Sequence, residues 1–487
     1  MTTSPGAPAW DETLAALAER CVRSALPALK AAIDAGVEPK ANSNFVRIER
    51  DPDGTRVQTS NDPPPNYASL LEEDYVATTN QVPYESLDGY GDFHAYLRSV
   101  PAYFEHLSGG EILQQRSWAE RFFGMKASEF IGRLVDRHIH IAGWSFDADV
   151  FADHYLLLER GLLGQSADGQ MLTVDVLVPL YGLSFDSPAP DGSVRIEELG
   201  DELLAACWPG SQLERYDEQL LLGATHLWVH PQVPVTLDPV SGFADPTGLN
   251  LAGLDQLLQV GAISAVNFGI KHVLYRPNNW AEWWIAGLPA AGRWSWTHER
   301  SSTRLKDLAT RSRTEPLSQD QTQRRYATLA GAPHEIQLAA RRLLSAACRS
   351  DPIDAVVDAC IGIEALVGDS ESNEITYKLA LRTSAVLAYA LGADPKLFFT
   401  TVKNLYARRS KIVHGKLKAN DNNTVKAFGE TFSANAIGSV VLSALLGAVL
   451  DKPELIGRIA NDDLVLSLIS GQGRAEHAAD QGGENSS

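Results

Sequence analysis

An arginine and a histidine five residues apart, Arg409 and His414, lie in the stretch Leu405-Tyr406-Ala407-Arg408-Arg409-Ser410-Lys411-Ile412-Val413-His414-Gly415. Arginine holds phosphate and histidine moves protons. On a helical wheel at about 100° per residue, Phe398, Val402, Leu405, Tyr406, Ile412 and Val413 form an apolar stripe with Arg409 in its middle. A guanidinium stays charged and is costly to bury alone, so this position demands a carboxylate, a phosphate or a water-filled cleft. His414 falls about 140° round the same helix, and Gly415 is the residue type most often found just past a helix C-terminus. The imidazole is therefore expected in the last turn, where the negative end of the helix dipole favours a positive charge. Two such helices facing each other across a two-fold axis would bring two arginines and two histidines into one cleft. That is enough for general acid and base chemistry on a phosphodiester without a metal. A stabilised helix end with a solvated basic flank has the same spacing.

The elements that must position this pair are helical. From about Pro333 the apolar spacing predicts five helices with short connections, His334 to Arg349, Pro352 to Val367, Ile375 to Leu391, Pro395 to His414 and Thr424 to Leu450, the pattern of an antiparallel bundle. Two charges break its apolar rule. Glu364 falls on the stripe of Ile353, Val357, Cys360 and Val367, and Arg382 on that of Ile375, Leu379 and Val386. The two could pair with each other and fix the register of the bundle, or Glu364 could orient Arg409 at the cleft.

Charge supports a phosphate site here. The chain carries a formal net charge of −19, but residues 1 to 330 hold 26 Lys+Arg against 43 Asp+Glu, whereas 331 to 470 hold 15 of each. Between 396 and 426 stand Lys396, Lys403, Arg408, Arg409, Lys411, Lys416, Lys418 and Lys426 against one acid, Asp421. The overall acidity argues against a protein that coats nucleic acid non-specifically, while the local field suits a phosphate-binding cleft. Arg408, Lys411 and Lys416 are the expected backbone contacts for RNA.

Upstream, 487 residues are too many for one ordinary core, and 44% apolar with 21% charged residues is ordinary for globular protein. The reading is a multi-domain α+β protein, mostly helical: a mainly helical region over 1–165, a small mixed α/β region over 166–314, the bundle over 315–470 and a small, polar, disordered tail over 471–487. Within the first region a helix carries Leu14, Leu17, Cys21 and Ala25 on one face until Pro27 interrupts it, and the polar stretch Asp51 to Tyr67, with Pro63-Pro64-Pro65, reads as loop. Helices are expected around Phe93 to Leu107, broken near Pro101, and Trp118 to Arg133. Strands are expected at Leu172 to Leu180, Val194 to Ile196 and His226 to Val235. Five tryptophans between Asn278 and Trp296 fit a core or domain interface better than a base-stacking surface. His138-Ile139-His140, followed by Asp147, Asp149, Asp153 and His154, would share a strand face able to bind zinc or iron, though no partner spacing is diagnostic. His226 and His230 are expected to satisfy backbone groups. Cys21, Cys207, Cys348 and Cys360 lack paired metal-ligand spacing, and Gly242 to Gly248 lacks the lysine of a phosphate-binding loop. No metal or cofactor is expected. The N-terminus has no secretory pattern, and the apolar run Ile437 to Leu450 is too short to span a bilayer, so a cytosolic protein is expected.

Asp354-Ala355-Val356-Val357-Asp358-Ala359-Cys360-Ile361-Gly362-Ile363-Glu364-Ala365-Leu366, then Arg382, then Leu405 to Gly415, together resemble the Apea-like branch of the HEPN superfamily over roughly 315 to 470. Val178-Pro179-Leu180 and Val194-Arg195-Ile196 resemble the segment often found upstream in that branch. The resemblance implies a helical bundle that dimerises, with an R-x4-6-H motif in each subunit forming a composite, metal-independent endoribonuclease site. Arg409 would bind the scissile phosphate and His414 move the proton, the 2′-hydroxyl attacking to leave a 2′,3′-cyclic phosphate. Where many members carry Asn, Asp or His after the arginine, this chain has Ser410. Phage defence or a toxin-like role, with a fused sensing region, is the implied setting; a non-catalytic RNA-binding or dimerisation module is the alternative.

Overall fold

The computed structural model describes residues 10–41, 46–59, 64–72, 81–108, 116–162, 172–185, 195–206, 215–235, 237–238, 242–243, 252–277, 293–302, 317–368, 375–392, 394–416, 422–456, 462 and 465–466. They form a mostly helical α+β protein with small antiparallel sheets. Five helices near the N-terminus share one apolar cluster of their own: α1 (Glu12–Asp34), α2 (Tyr90–Ser99), α3 (Pro101–Leu107), α4 (Arg116–Ala142) and α5 (Ala148–Leu162). Asp11 caps α1 by accepting the Leu14 N–H at 3.0 Å, and its carboxylate also takes the hydroxyls of Tyr96 and Tyr103, tying α1 to α2 and α3. Pro27 does not end α1. The helix runs through it because Pro27 and Arg23, whose carbonyl loses its partner, are both exposed, so water can take up the freed group.

Helix α4 extends past Arg133 to Ala142, so His138 and His140 lie on a helix, about 200° apart, rather than on one face of a strand. His138 stacks on Phe146, 5.3 Å between centroids, with Nε2 3.1 Å from the Ser145 carbonyl; His140 Nε2 is 3.0 Å from that of Pro65. Among the described residues no group of three or more His, Cys, Asp or Glu could hold a metal ion. Asp136, one turn before His140, accepts the Tyr67 N–H at 2.5 Å at the start of the 3-10 turn Tyr67–Leu70. Burial pushes this carboxyl up to about 7, against the pull of the Tyr67 and Ala68 N–H groups.

The stretch from Asp51 to Tyr67 is not all loop. Strands β1 (Arg47–Arg50) and β2 (Arg56–Thr59) form a hairpin that docks on the main sheet through Arg56. Its buried guanidinium donates to Asp201 Oδ1 (2.6 Å), to the Ala224 carbonyl (2.5 Å) and to that of Leu199. The main sheet contains β3 (Leu172–Leu180), β4 (Ile196–Glu198), β5 (His226–Val235), β6 (Gly269–Pro277) and β7 (Arg293–Ser301), in the antiparallel order β7-β6-β3-β5-β4. Strand alternation divides its faces. Leu274, Leu177 and Val229 line up across three strands towards α6 (Asp201–Ala206) and α7 (Arg215–Gly223), while Val178, Trp228 and Ile196 face the C-terminal helices. Of the clustered tryptophans, Trp280, Trp283 and Trp284 lie outside the described residues, as does 471–487.

Helices α8 (Ala252–Ile263), α9 (Gln319–Ala330), α10 (His334–Cys348), α11 (Pro352–Val367), α12 (Ile375–Leu391), α13 (Pro395–Val413) and α14 (Ala434–Asp451) complete the chain. One apolar cluster runs from Val174 in the sheet through α8 to Leu455, so the boundary expected at 314/315 does not divide the core. The helix expected from Thr424 begins only at Ala434. Before it stands a hairpin, β8 (Thr424–Ala427) and β9 (Glu430–Ser433), turning at Phe428 (φ 53°) and Gly429 (φ 90°). Two consecutive positive φ values are the signature of the tight turn that matches strand twist. Helix α14 is long and apolar enough by composition to cross a membrane, and most of it is buried inside this protein.

Candidate functional site

Helix α13 is fixed at both ends by its own sequence. Asp394 accepts the Lys396 N–H at 2.8 Å and Pro395 occupies the first helical position, where its missing N–H costs nothing. At the other end His414 is the C-cap residue. Gly415 takes φ 62°, the Lys416 N–H reaches back to the Lys411 carbonyl (2.8 Å) and the Gly415 N–H to that of Ile412 (3.1 Å). This paired closure needs a left-handed residue, which glycine supplies without strain. It leaves His414, Ser410, Lys411 and Lys416 exposed at the helix end.

Arg409 points elsewhere. Its Nη2 lies 3.4 Å from Glu364 Oε1, with the two side chains 30% and 25% exposed, and its buried Nε has no hydrogen-bond partner among the described residues. Of the two partnerships open to Glu364, the structure therefore contains the one with Arg409. Arg382 is buried and donates to the Val367 carbonyl (2.9 Å), at the end of α11, and to Asp462 Oδ1 (3.0 Å), so the Glu364–Arg382 pair does not form.

Burial holds the Glu364 carboxyl above the usual carboxylate range and Arg409 pulls it part of the way back. One turn earlier on α11, burial pushes the Cys360 thiol up to about 12, which leaves it inert as a nucleophile at neutral pH. The Tyr406 hydroxyl donates to the Cys360 carbonyl at 2.8 Å and locks α13 against α11 one turn from the ion pair. Burial raises Tyr406 well above the ordinary phenol range, so it stays a donor. Sequence spacing places Tyr406 only in the apolar stripe; a buried tyrosine needs a partner for its hydroxyl, and that is the available signal.

Two glycines set where Glu364 stands. A Cβ on Gly362 would lie 2.4 Å from Leu442 Cδ2, and one on Gly438 2.9 Å from Ala359 Cβ, so α11 and α14 approach closely because both positions lack side chains. The expectation for Arg408 needs correction. It is only 6% exposed, and its Nε faces Asn423 Oδ1 at 3.4 Å, where the chain enters the β8–β9 hairpin. Arg408 thus joins α13 to that hairpin and is not a surface cation. Glu364, Arg409 and Tyr406 are brought together; His414, Ser410, Lys411 and Lys416 gather on a different side of the same helix.

No family model, no curated protein and no solved structure matches the chain.

Proposed function

We propose that the chain is a metal-independent endoribonuclease of HEPN type, acting as a cytoplasmic homodimer in phage defence or a toxin-like stress response, with the N-terminal region as sensor. The observation that carries this reading is Arg409: a partly open guanidinium, aimed by Glu364 at 3.4 Å, on the helix whose last turn presents His414. In this scheme Arg409 grips the scissile phosphate, and an imidazole takes the proton from the 2′-hydroxyl. Attack on the adjacent phosphorus expels the 5′-oxygen, which leaves with a proton, and the products are a 2′,3′-cyclic phosphate and a 5′-hydroxyl. Glu364 keeps the guanidinium in position before the phosphate arrives, and Ser410 stands at the rim.

Arg409 and His414 diverge by about 140° around α13, so the scheme pairs the arginine of one subunit with the histidine of another. The same divergence favours the second reading, a module that holds RNA without cutting it. Incubating the purified protein with total RNA, with and without chelator, and analysing the cut ends tests the first. Chelator-resistant fragments ending in cyclic phosphate are expected. Chelator-sensitive cutting overturns the mechanism, and RNA binding without fragments favours the module.

A further inference from the structure

The outer face of α13 carries a line of lysines that the cleavage scheme leaves unused and that ends at His414. On the helical wheel Lys396, Lys403, Lys411 and His414 fall within an arc of about 80°, and all four are exposed. No acidic residue occurs from Lys396 to Lys416, so nothing within α13 itself neutralises them. Along the axis the lysines are spaced by roughly 10–12 Å at 1.5 Å per residue. A ridge of one sign, on a chain whose net charge is −19, has a polyanion as its electrostatic complement.

One border of the ridge is aromatic near its N-terminal end. On one side Tyr377 of α12 stands edge-to-face on Phe399, with ring centroids 5.4 Å apart, and is 54% exposed. On the other, Asn404 Nδ2 donates to the Lys426 carbonyl at 2.9 Å and holds the β8–β9 hairpin alongside α13. That places the exposed Lys426 next to the ridge. At the hairpin tip Phe428 stands edge-to-face on Phe398, which falls on the opposite side of α13 from the lysines, so Tyr377 is the ring that borders them. An exposed ring held upright beside a line of lysines suits a base whose face is free. A duplex offers no such faces.

We propose that the outer face of α13 is a track for unpaired RNA, with Lys396, Lys403, Lys411 and Lys426 on the phosphates and Tyr377 stacking a base, leading the strand to His414. The substrate class is therefore single-stranded RNA. The track rests on the nuclease reading only for its direction, and binding tests it separately from cleavage. Anisotropy of a labelled oligouridylate of about twelve nucleotides, titrated at several salt concentrations, is the measurement. Lys403→Gln with Lys411→Gln is expected to reduce the log–log salt slope by roughly 1.4, at about 0.7 per lost phosphate contact. Tyr377→Ala is expected to weaken binding by about tenfold with the slope unchanged, and a duplex of equal length to compete poorly.

If wild type binds the oligonucleotide and both variants match it in affinity and slope, the track is overturned while the nuclease reading stands. A loss confined to the lysine variant, with duplex competing equally, overturns the choice of unpaired RNA. If wild type neither binds nor cuts, both proposals fall. A raised KM with unchanged kcat in the aromatic variant supports the track as a delivery surface separate from the reacting groups, and cleavage unchanged in both constants despite reduced binding overturns it.

Discussion

Replacing Asp136 by Asn tests the electrostatics of the N-terminal unit. The carboxyl is 6% exposed and burial pushes it up to about 7, against an ordinary value of 3.8. The sign follows from proton counting. Below pH 3.8 the group is neutral in the folded and unfolded chain alike. Between 3.8 and about 7 only the unfolded chain gives up its proton, so rising pH favours unfolding; above 7 the loss is complete. A difference of about three pKa units corresponds to on the order of 4 kcal/mol. The side chain is too buried for solvent screening to reduce this much.

The Asp136→Asn variant keeps an oxygen for the Tyr67 N–H and removes the titration. His138, His140 and His154 are all lowered by burial, His154 to about 3, and they work in the opposite sense, adding stability as pH rises towards 6.5. His138 and His154 cancel to first order in the difference, whereas His140, whose Nε2 lies 3.8 Å from Asp136 Oδ1, couples to the substitution, so both proteins carry His140→Gln in this comparison. The assay is urea unfolding from about pH 5 to 8, read by hydrogen exchange in peptides from the buried face of α4, which report this unit alone. The gap between the two proteins should widen up to about pH 7 and then level off. Parallel profiles would refute the assignment of a protonated, buried carboxyl at Asp136.

His414→Ala should lower RNA cleavage by about 10²–10⁴-fold, the range for a lost general acid or base, without changing far-ultraviolet circular dichroism. Mixing Arg409→Ala subunits with His414→Ala subunits should restore part of the activity, because a hybrid dimer has one site with both native groups; no recovery would rule out sites shared between subunits. Gly362→Ala should cost about 1–3 kcal/mol through its 2.4 Å clash with Leu442, offset by about 1 kcal/mol of helix propensity, and thermal unfolding should show a lowered midpoint.

Helix α13 is legible in the sequence because its ends carry local signals, Asp394-Pro395 at one and Gly415 at the other, and those signals need no tertiary partner. The inward placement of Glu364 is legible too, but not its partner: periodicity reports that a charge faces the core, and only the packed helices decide between Arg382 and Arg409. The hairpin at Thr424–Ser433 is hidden because its turn is Phe428-Gly429 instead of Asn-Gly, and its apolar residues continue the spacing of α14. That error conceals a second. Read as helix, the segment leaves nothing beside Arg408, and a buried cation looks like a surface one. Pro27 misleads for a related reason, since a proline costs a helix least on an exposed face, where water takes up the orphaned carbonyl, and exposure is not legible at one residue.

The grip of Arg382 on the last carbonyl of α11 has a reach beyond its own helix. Through Asp462 the segment after α14 is tethered to the last turn of α11, one turn beyond Glu364, so that segment clasps the end of the helix whose carboxylate meets Arg409.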